Sequence, residues 1–136
     1  MSKNTERSPF LVRVGTLGLG TVGCGVAEVL MRHGDLIAQR TGIQLKIVRA
    51  FVRDTERTRH PSAAHIPLTS RAEDITTAND IDIVVELLGG IEPARSLILK
   101  ALQCGKPVVT ANKAVLAAHG GELFEAAAQH ATDIYF

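Results

Sequence analysis

A chain of 136 residues, 46% hydrophobic and 21% charged, has the size and composition of one soluble globular domain; two independent cores would not fit comfortably. A formal net charge of +1, an aromatic fraction of 4% and the lack of tryptophan argue against a nucleic-acid partner, which calls for basic patches or stacking platforms. No stretch approaches the roughly 20 apolar residues that cross a bilayer, so no membrane partner is expected.

The opening run from Met1 to Pro9 is polar and lacks the apolar segment of a secretory signal. Residues 1–9 therefore read as a flexible N-terminal tail ahead of a domain over 10–136. Cys24 and Cys104 form neither a disulfide framework nor a metal-ligand spacing, and no metal site is expected. Both read as small core-filling thiols suited to a reducing cytoplasm.

Leu11 to Leu17 is a short, mostly apolar run that stops at glycines, as a buried strand does. From Thr21 the spacing turns helical, with Val22, Val26, Val29 and Leu30 as one apolar stripe continuing towards Ile37 and Gly42 as a stop. Leu45 to Val52 reads as a second strand, and Arg53 to Pro67 as an irregular excursion at the sheet edge. A short helix is expected within Leu68 to Ala78. Ile81 to Leu88 is the strongest strand signal, stopped by Gly89-Gly90. Pro93 suits the first position of a helix through Leu102, closed by Gly105. Pro107 to Thr110 is a further strand, Ala114 to His130 a further helix, and Ile134-Tyr135-Phe136 the start of another strand. Alternating strands and helices predict an α/β fold with a parallel sheet covered on both faces, in a doubly wound Rossmann arrangement.

Gly18-Leu19-Gly20-Thr21-Val22-Gly23 matches G-x-G-x-x-G between a predicted strand and a predicted helix. Gly18 permits the tight turn, Gly20 the close approach of a pyrophosphate, and Gly23 close helix–strand packing. Free N–H groups and the positive end of the helix dipole then receive phosphates. The acidic residue expected about 20 positions later to hold an adenosine ribose is displaced, because the second strand ends late, at Val52-Arg53-Asp54. Arg53 suits the 2′-phosphate of NADP and Asp54 the ribose of NAD; the balance leans to NADP, with dual use compatible.

Ligands of such a sheet lie beyond the carboxyl ends of its strands, at the switch point. The glycine turn, Leu88-Gly89-Gly90 and Thr110-Ala111-Asn112-Lys113 should converge there. The glycine pair lets backbone approach the nicotinamide ribose, and Asn112 offers an amide for ribose or carboxamide contacts. Lys113, at a helix start, is placed for proton transfer, since a helix N-terminus disfavours added positive charge and lowers a lysine pKa.

Three blocks then resemble homoserine dehydrogenase in order along the chain. They are Gly18 to Gly23, Asp82 to Ala94 (DIVVELLGGIEPA), and Val108 to Ala114 (VVTANKA). The resemblance implies reduction of aspartate 4-semialdehyde to homoserine with NADPH or NADH, on the route to threonine, methionine and isoleucine. It implies a cytoplasmic, homodimeric full enzyme, with Lys113 at the catalytic centre supplying a proton as hydride reaches the aldehyde carbon. The family's substrate and dimerisation domain has no counterpart before Phe136, so the chain by itself is expected to bind cofactor without turning over substrate, and to self-associate through exposed apolar surface. Rival readings are another Rossmann dehydrogenase, of the aspartate or glyceraldehyde phosphate type, and a non-catalytic nucleotide sensor. A glyceraldehyde phosphate type needs a catalytic cysteine that neither Cys24 nor Cys104 supplies, and a sensor has no use for an acid at Lys113.

Overall fold

The computed structural model describes residues 8–136; most of the expected tail, residues 1–7, lies outside the described residues. Six strands form a single sheet: β1 (Phe10–Leu17), β2 (Ile43–Phe51), β3 (Leu68–Thr69), β4 (Ile83–Glu86), β5 (Val108–Thr110) and β6 (Ile134–Tyr135). All pairings are parallel, in the order β3-β2-β1-β4-β5-β6. This is the dinucleotide-binding strand order, with its switch point between β1 and β4. The helices are α1 (Thr21–Thr41), α2 (Glu73–Thr76), α3 (Ala94–Gln103) and α4 (Lys113–Gln129).

Two apolar cores, one on each face, follow from the crossovers. Val14, Ile47, Ala50 and Val52 pack beneath α1 through Leu19 and Ala27. Val84 and Val108 pack beneath α2, α3 and α4 through Ile75, Ile98, Leu102, Val115 and Leu123. Strands covered on both faces need continuous apolar runs, which is why β1 and β4 stand out in the sequence.

Helix ends follow local chemistry. Gly42 caps α1 in the left-handed region, φ 70°, donating its N–H to Ala38 O at 2.8 Å. α3 ends in a Schellman arrangement: Gly105 N–H reaches Leu102 O at 2.9 Å, and Lys106 N–H reaches Ala101 O at 3.0 Å. This turn carries the Lys106 side chain inward, where its ammonium caps Ala78 O at 2.6 Å and Ile81 O at 2.8 Å. Arg13 and Asp82 clamp β1 to β4 through a two-pronged pair at 3.0 Å and an N–H bond at 2.7 Å. Arg95 joins α3 to Glu122 of α4 at 2.6 and 2.8 Å.

Several expectations need correction. The buried face of α1 runs through Gly23 and Ala27, flanked by half-buried Cys24, Val26 and Leu30, whereas Val22 and Val29 are more than half exposed. Small residues win that face because the helix sits close to the sheet: a Cβ on Gly23 would lie 3.2 Å from Gly18 O. The 53–67 segment is the irregular excursion expected, running from β2 to the edge strand β3, yet it is anchored on the helical layer. Its short 3-10 turn, Pro61–Ala63, packs on α1, with Ser62 Oγ donating to Cys24 O at 3.2 Å and Ala63 and Ile66 buried. The short helix expected within 68–78 is the single turn α2, and the unexpected part is that Leu68 and Thr69 ahead of it pair with β2. Pro93 precedes α3 as its N-cap rather than opening it. Cys104, at the solvent-facing end of α3, is exposed and fills no core, while Cys24 is only half-buried. No described helix is long and apolar enough to cross a membrane.

Candidate nucleotide site

At the carboxyl edge the sheet's ladder bonds run out and the chain turns. Gly18 N–H still reaches Phe51 O at 2.9 Å, and Leu87 N–H reaches Leu17 O at 2.9 Å. Beyond these bonds β1 and β4 hand their chains to opposite faces, opening a crevice. Gly18 has φ 98°, and a Cβ there would press on the backbone of Leu87 at 3.2 Å. At Gly20, by contrast, a Cβ would meet nothing within 4 Å, so that absent side chain leaves the backbone open to the crevice. Gly20 is also the N-cap of α1 with no side-chain cap. The first amides of the helix thus lack an intrahelical acceptor and point their dipole outward.

A cavity of about 630 Å³ lies against this turn. Gly18 to Thr21 form one wall, Leu87 to Gly89 another, and Cys24, Gly25 and Glu28 line the α1 side. The remaining wall is basic, made of Arg53, Arg57, Arg59 and His60 from the loop after β2. Arg59 holds that loop in shape, donating to Asp54 O at 2.8 Å and Arg57 O at 2.9 Å. Asp54 is turned to its own backbone, its carboxylate accepting Glu56 N–H at 2.9 Å, and does not line the cavity. With Arg59 engaged on the loop's own carbonyls, Arg53 and Arg57 are the guanidiniums of this wall that can meet an anion.

The other two predicted turns are joined to one another. Gly89 and Gly90 both adopt positive φ, 74° and 70°, a bend that needs glycine. Asn112 Nδ2 donates to Gly90 O at 2.6 Å, while its Oδ1 caps α4 by accepting Val115 N–H at 3.1 Å. Thr110 is buried, its hydroxyl donating to Glu86 Oε2 and accepting Asn112 N–H at 3.0 Å. Glu86, with no exposed surface, accepts Leu88 N–H on its other oxygen at 2.8 Å. Lys113 follows as the exposed first residue of α4.

Of the residues singled out from sequence, Gly18, Leu19, Gly20, Thr21, Arg53, Leu88 and Gly89 line one cavity. Val22 is exposed and Gly23 is buried under the turn, both outside its lining. Gly90, Thr110, Asn112 and Lys113 form the adjoining rim rather than the cavity wall, and the amide of Asn112 is engaged by protein on both atoms. Arg57, Arg59 and Glu86 were not anticipated. The arginines sit in an irregular loop where spacing carries no directional information. Glu86 had a signal, as an acid near the carboxyl end of the apolar run from Ile83 to Leu88.

The comparisons with known proteins give the family and the fold. The family profile described as "Homoserine dehydrogenase, NAD binding domain" matches residues 18–136. The homoserine dehydrogenase of Bacillus subtilis is 38% identical over 125 residues, covering 92% of this chain and 29% of that protein. That of Synechocystis sp. is 48% identical over 119 residues, covering 88% of this chain and 27% of the relative. The crystal structure of a homoserine dehydrogenase from Thiobacillus denitrificans superposes with a TM-score of 0.89 at 43% identity, covering 96% of this chain and 30% of that one. A hyperthermophilic archaeal homoserine dehydrogenase in complex with NADPH shares the fold, with a TM-score of 0.73 at 21% identity. The chain thus spans under a third of the length of the first two relatives, 29% and 27%. By its six-stranded switch-point sheet, its glycine turn and its match over residues 18–136, the chain belongs to the homoserine dehydrogenase NAD-binding domain family.

Proposed function

We propose that residues 10–136 bind a nicotinamide dinucleotide across the strand tips and supply the cofactor half of a homoserine dehydrogenase, the cytoplasmic, homodimeric enzyme that reduces aspartate 4-semialdehyde to homoserine. The observation carrying this reading is the open face of Gly20 at the uncapped start of α1, beside a cavity walled by three arginines.

Backbone amides at the start of α1 hold the pyrophosphate, where their unpaired N–H groups and the helix dipole favour an anion. Arg53, with Arg57 and Arg59 beside it, receives the adenosine end, and its guanidinium suits a 2′-phosphate, so NADP is favoured over NAD. Leu88, Gly89 and Gly90 shape the floor beneath the nicotinamide ribose, with Asn112 fixing Gly90 from the neighbouring turn. When bound, the nicotinamide supplies the hydride that reduces an aldehyde carbon. Lys113 stands at the rim of that end and delivers a proton from Nζ to the oxygen that becomes the alcohol.

Calorimetric titration of the chain with NADPH and NADH tests the reading. NADPH is expected to bind more tightly, and Arg53→Ala to weaken NADPH about ten-fold while leaving NADH unchanged. Binding of neither dinucleotide would overturn it.

A further inference from the structure

The two turns at the far end of the crevice are held in register by a buried polar chain outside the cavity wall. Glu86, at the tip of β4 and 0% exposed, is its centre. One carboxyl oxygen accepts Leu88 N–H at 2.8 Å and so shapes the turn that leads into Gly89-Gly90. The other accepts the hydroxyl of Thr110, which is 2% exposed, at the tip of β5. That hydroxyl in turn accepts Asn112 N–H at 3.0 Å, and Asn112 Nδ2 closes the circuit on Gly90 O at 2.6 Å. Two loops from neighbouring strands are thus tied at both ends, with Lys113 leaving directly from the tie.

An acid without solvent contact is costly to bury unless its partners are fixed, so a carboxyl here sets the positions of everything bonded to it. A strand as short as Ile83–Glu86 has no structural need for an acid; its neighbours Ile83, Val84 and Val85 are all apolar. We infer that Glu86 is a positioning residue for the nicotinamide end of the site, acting through Thr110 and the Leu88 amide to hold Gly89, Gly90 and Lys113 in the geometry that receives the ring. This rests on the dinucleotide reading above, and it assigns Thr110 a role behind the site instead of a side-chain contact with cofactor.

The test compares NADPH with 2′,5′-ADP, which carries the adenine end and no nicotinamide, on wild-type chain and the variants Glu86→Gln, Thr110→Val and Thr110→Ser. All are measured below their melting temperatures. Glu86→Gln can keep Leu88 N–H on its amide oxygen only by turning its NH2 to the Thr110 hydroxyl, which reverses that link and leaves the hydroxyl proton without its carboxylate acceptor; Thr110→Val removes the hydroxyl; Thr110→Ser restores it. NADPH affinity is expected to fall about ten-fold in Glu86→Gln and Thr110→Val, with 2′,5′-ADP within two-fold of wild type and Thr110→Ser near wild type for both. Unchanged NADPH affinity, or equal loss for both ligands, would overturn the assignment of Glu86 alone. Wild-type chain that binds neither ligand would sink the dinucleotide reading, and this assignment with it.

Discussion

Alanine at position 20 separates folding from binding at a single atom. Gly20 has an ordinary φ of −84°, and an added Cβ meets no protein atom within 4 Å. The folding cost is a somewhat poorer N-cap residue plus a ψ of −149°, outside the usual β region for a residue with a Cβ, about 1–2 kcal/mol together, so the melting temperature should drop by no more than about 8 °C. The methyl group does, however, occupy the surface where a pyrophosphate is proposed to approach. Forcing a methylene-sized group into a close contact costs about 1–3 kcal/mol, which corresponds to roughly 5- to 150-fold weaker binding. Gly18→Ala is the contrasting control. Its φ of 98° and its 3.2 Å approach to Leu87 backbone load the damage onto folding, with strain alone of order 1–3 kcal/mol. Fluorescence titration with NADPH and thermal melts on both variants check this. If Gly20→Ala bound NADPH with wild-type affinity, the phosphates would not lie on that turn.

Other outcomes follow from the remaining contacts. In a complete homoserine dehydrogenase containing this domain, Lys113→Ala should lower kcat by about 10²- to 10⁴-fold with little change in NADPH affinity, since Lys113 is assigned proton transfer; steady-state kinetics beside a binding titration would show this. Lys106→Met should destabilise the fold by about 1–3 kcal/mol, because the carbonyls of Ala78 and Ile81 lose their donor, readable in urea unfolding. Asp82 and Asp80 titrate below their ordinary range, chiefly through hydrogen bonds from Arg13 and Arg49, and Glu92 and Glu122 do so through Ser96 and Arg95. A depressed folded-state pKa means the unfolded chain binds more protons. The stabilisation is therefore complete above about pH 4–5 and is lost as pH falls through the lower folded values. Melting temperatures should decline on that acid side, and Asp82→Asn should flatten the decline.

Much of the architecture was readable because period and punctuation agreed. β1 and β4 are apolar runs stopped by glycines, α3 has Ala94, Ile98, Ala101 and Leu102 on one face before Gly105, and the glycine turn sits between its required neighbours. The face of α1 was misread for a physical reason. Hydrophobicity scales reward Val22 and Val29, while close helix–sheet approach rewards Gly23 and Ala27, which score low. The basic wall escaped because Arg57 and Arg59 reach it through loop shape set by their own backbone contacts, including Arg59 to Asp54 O. Glu86 was visible only as an anomaly; its partners, Leu88 and Thr110, lie 2 and 24 residues away and are joined by sheet order.

The all-parallel pairing has a kinetic consequence. With the order β3-β2-β1-β4-β5-β6, no two strands can meet through a hairpin, and each pairing must wait for an intervening connection to be crossed. The chain-closure entropy comes due before the ladder bonds return it, which slows folding relative to helical bundles of the same length. β1 and β4, which carry the central pairing, are separated by the whole of the α1-to-α2 segment. Their junction, clamped by Arg13 and Asp82, is therefore where a late, cooperative step of assembly is to be sought.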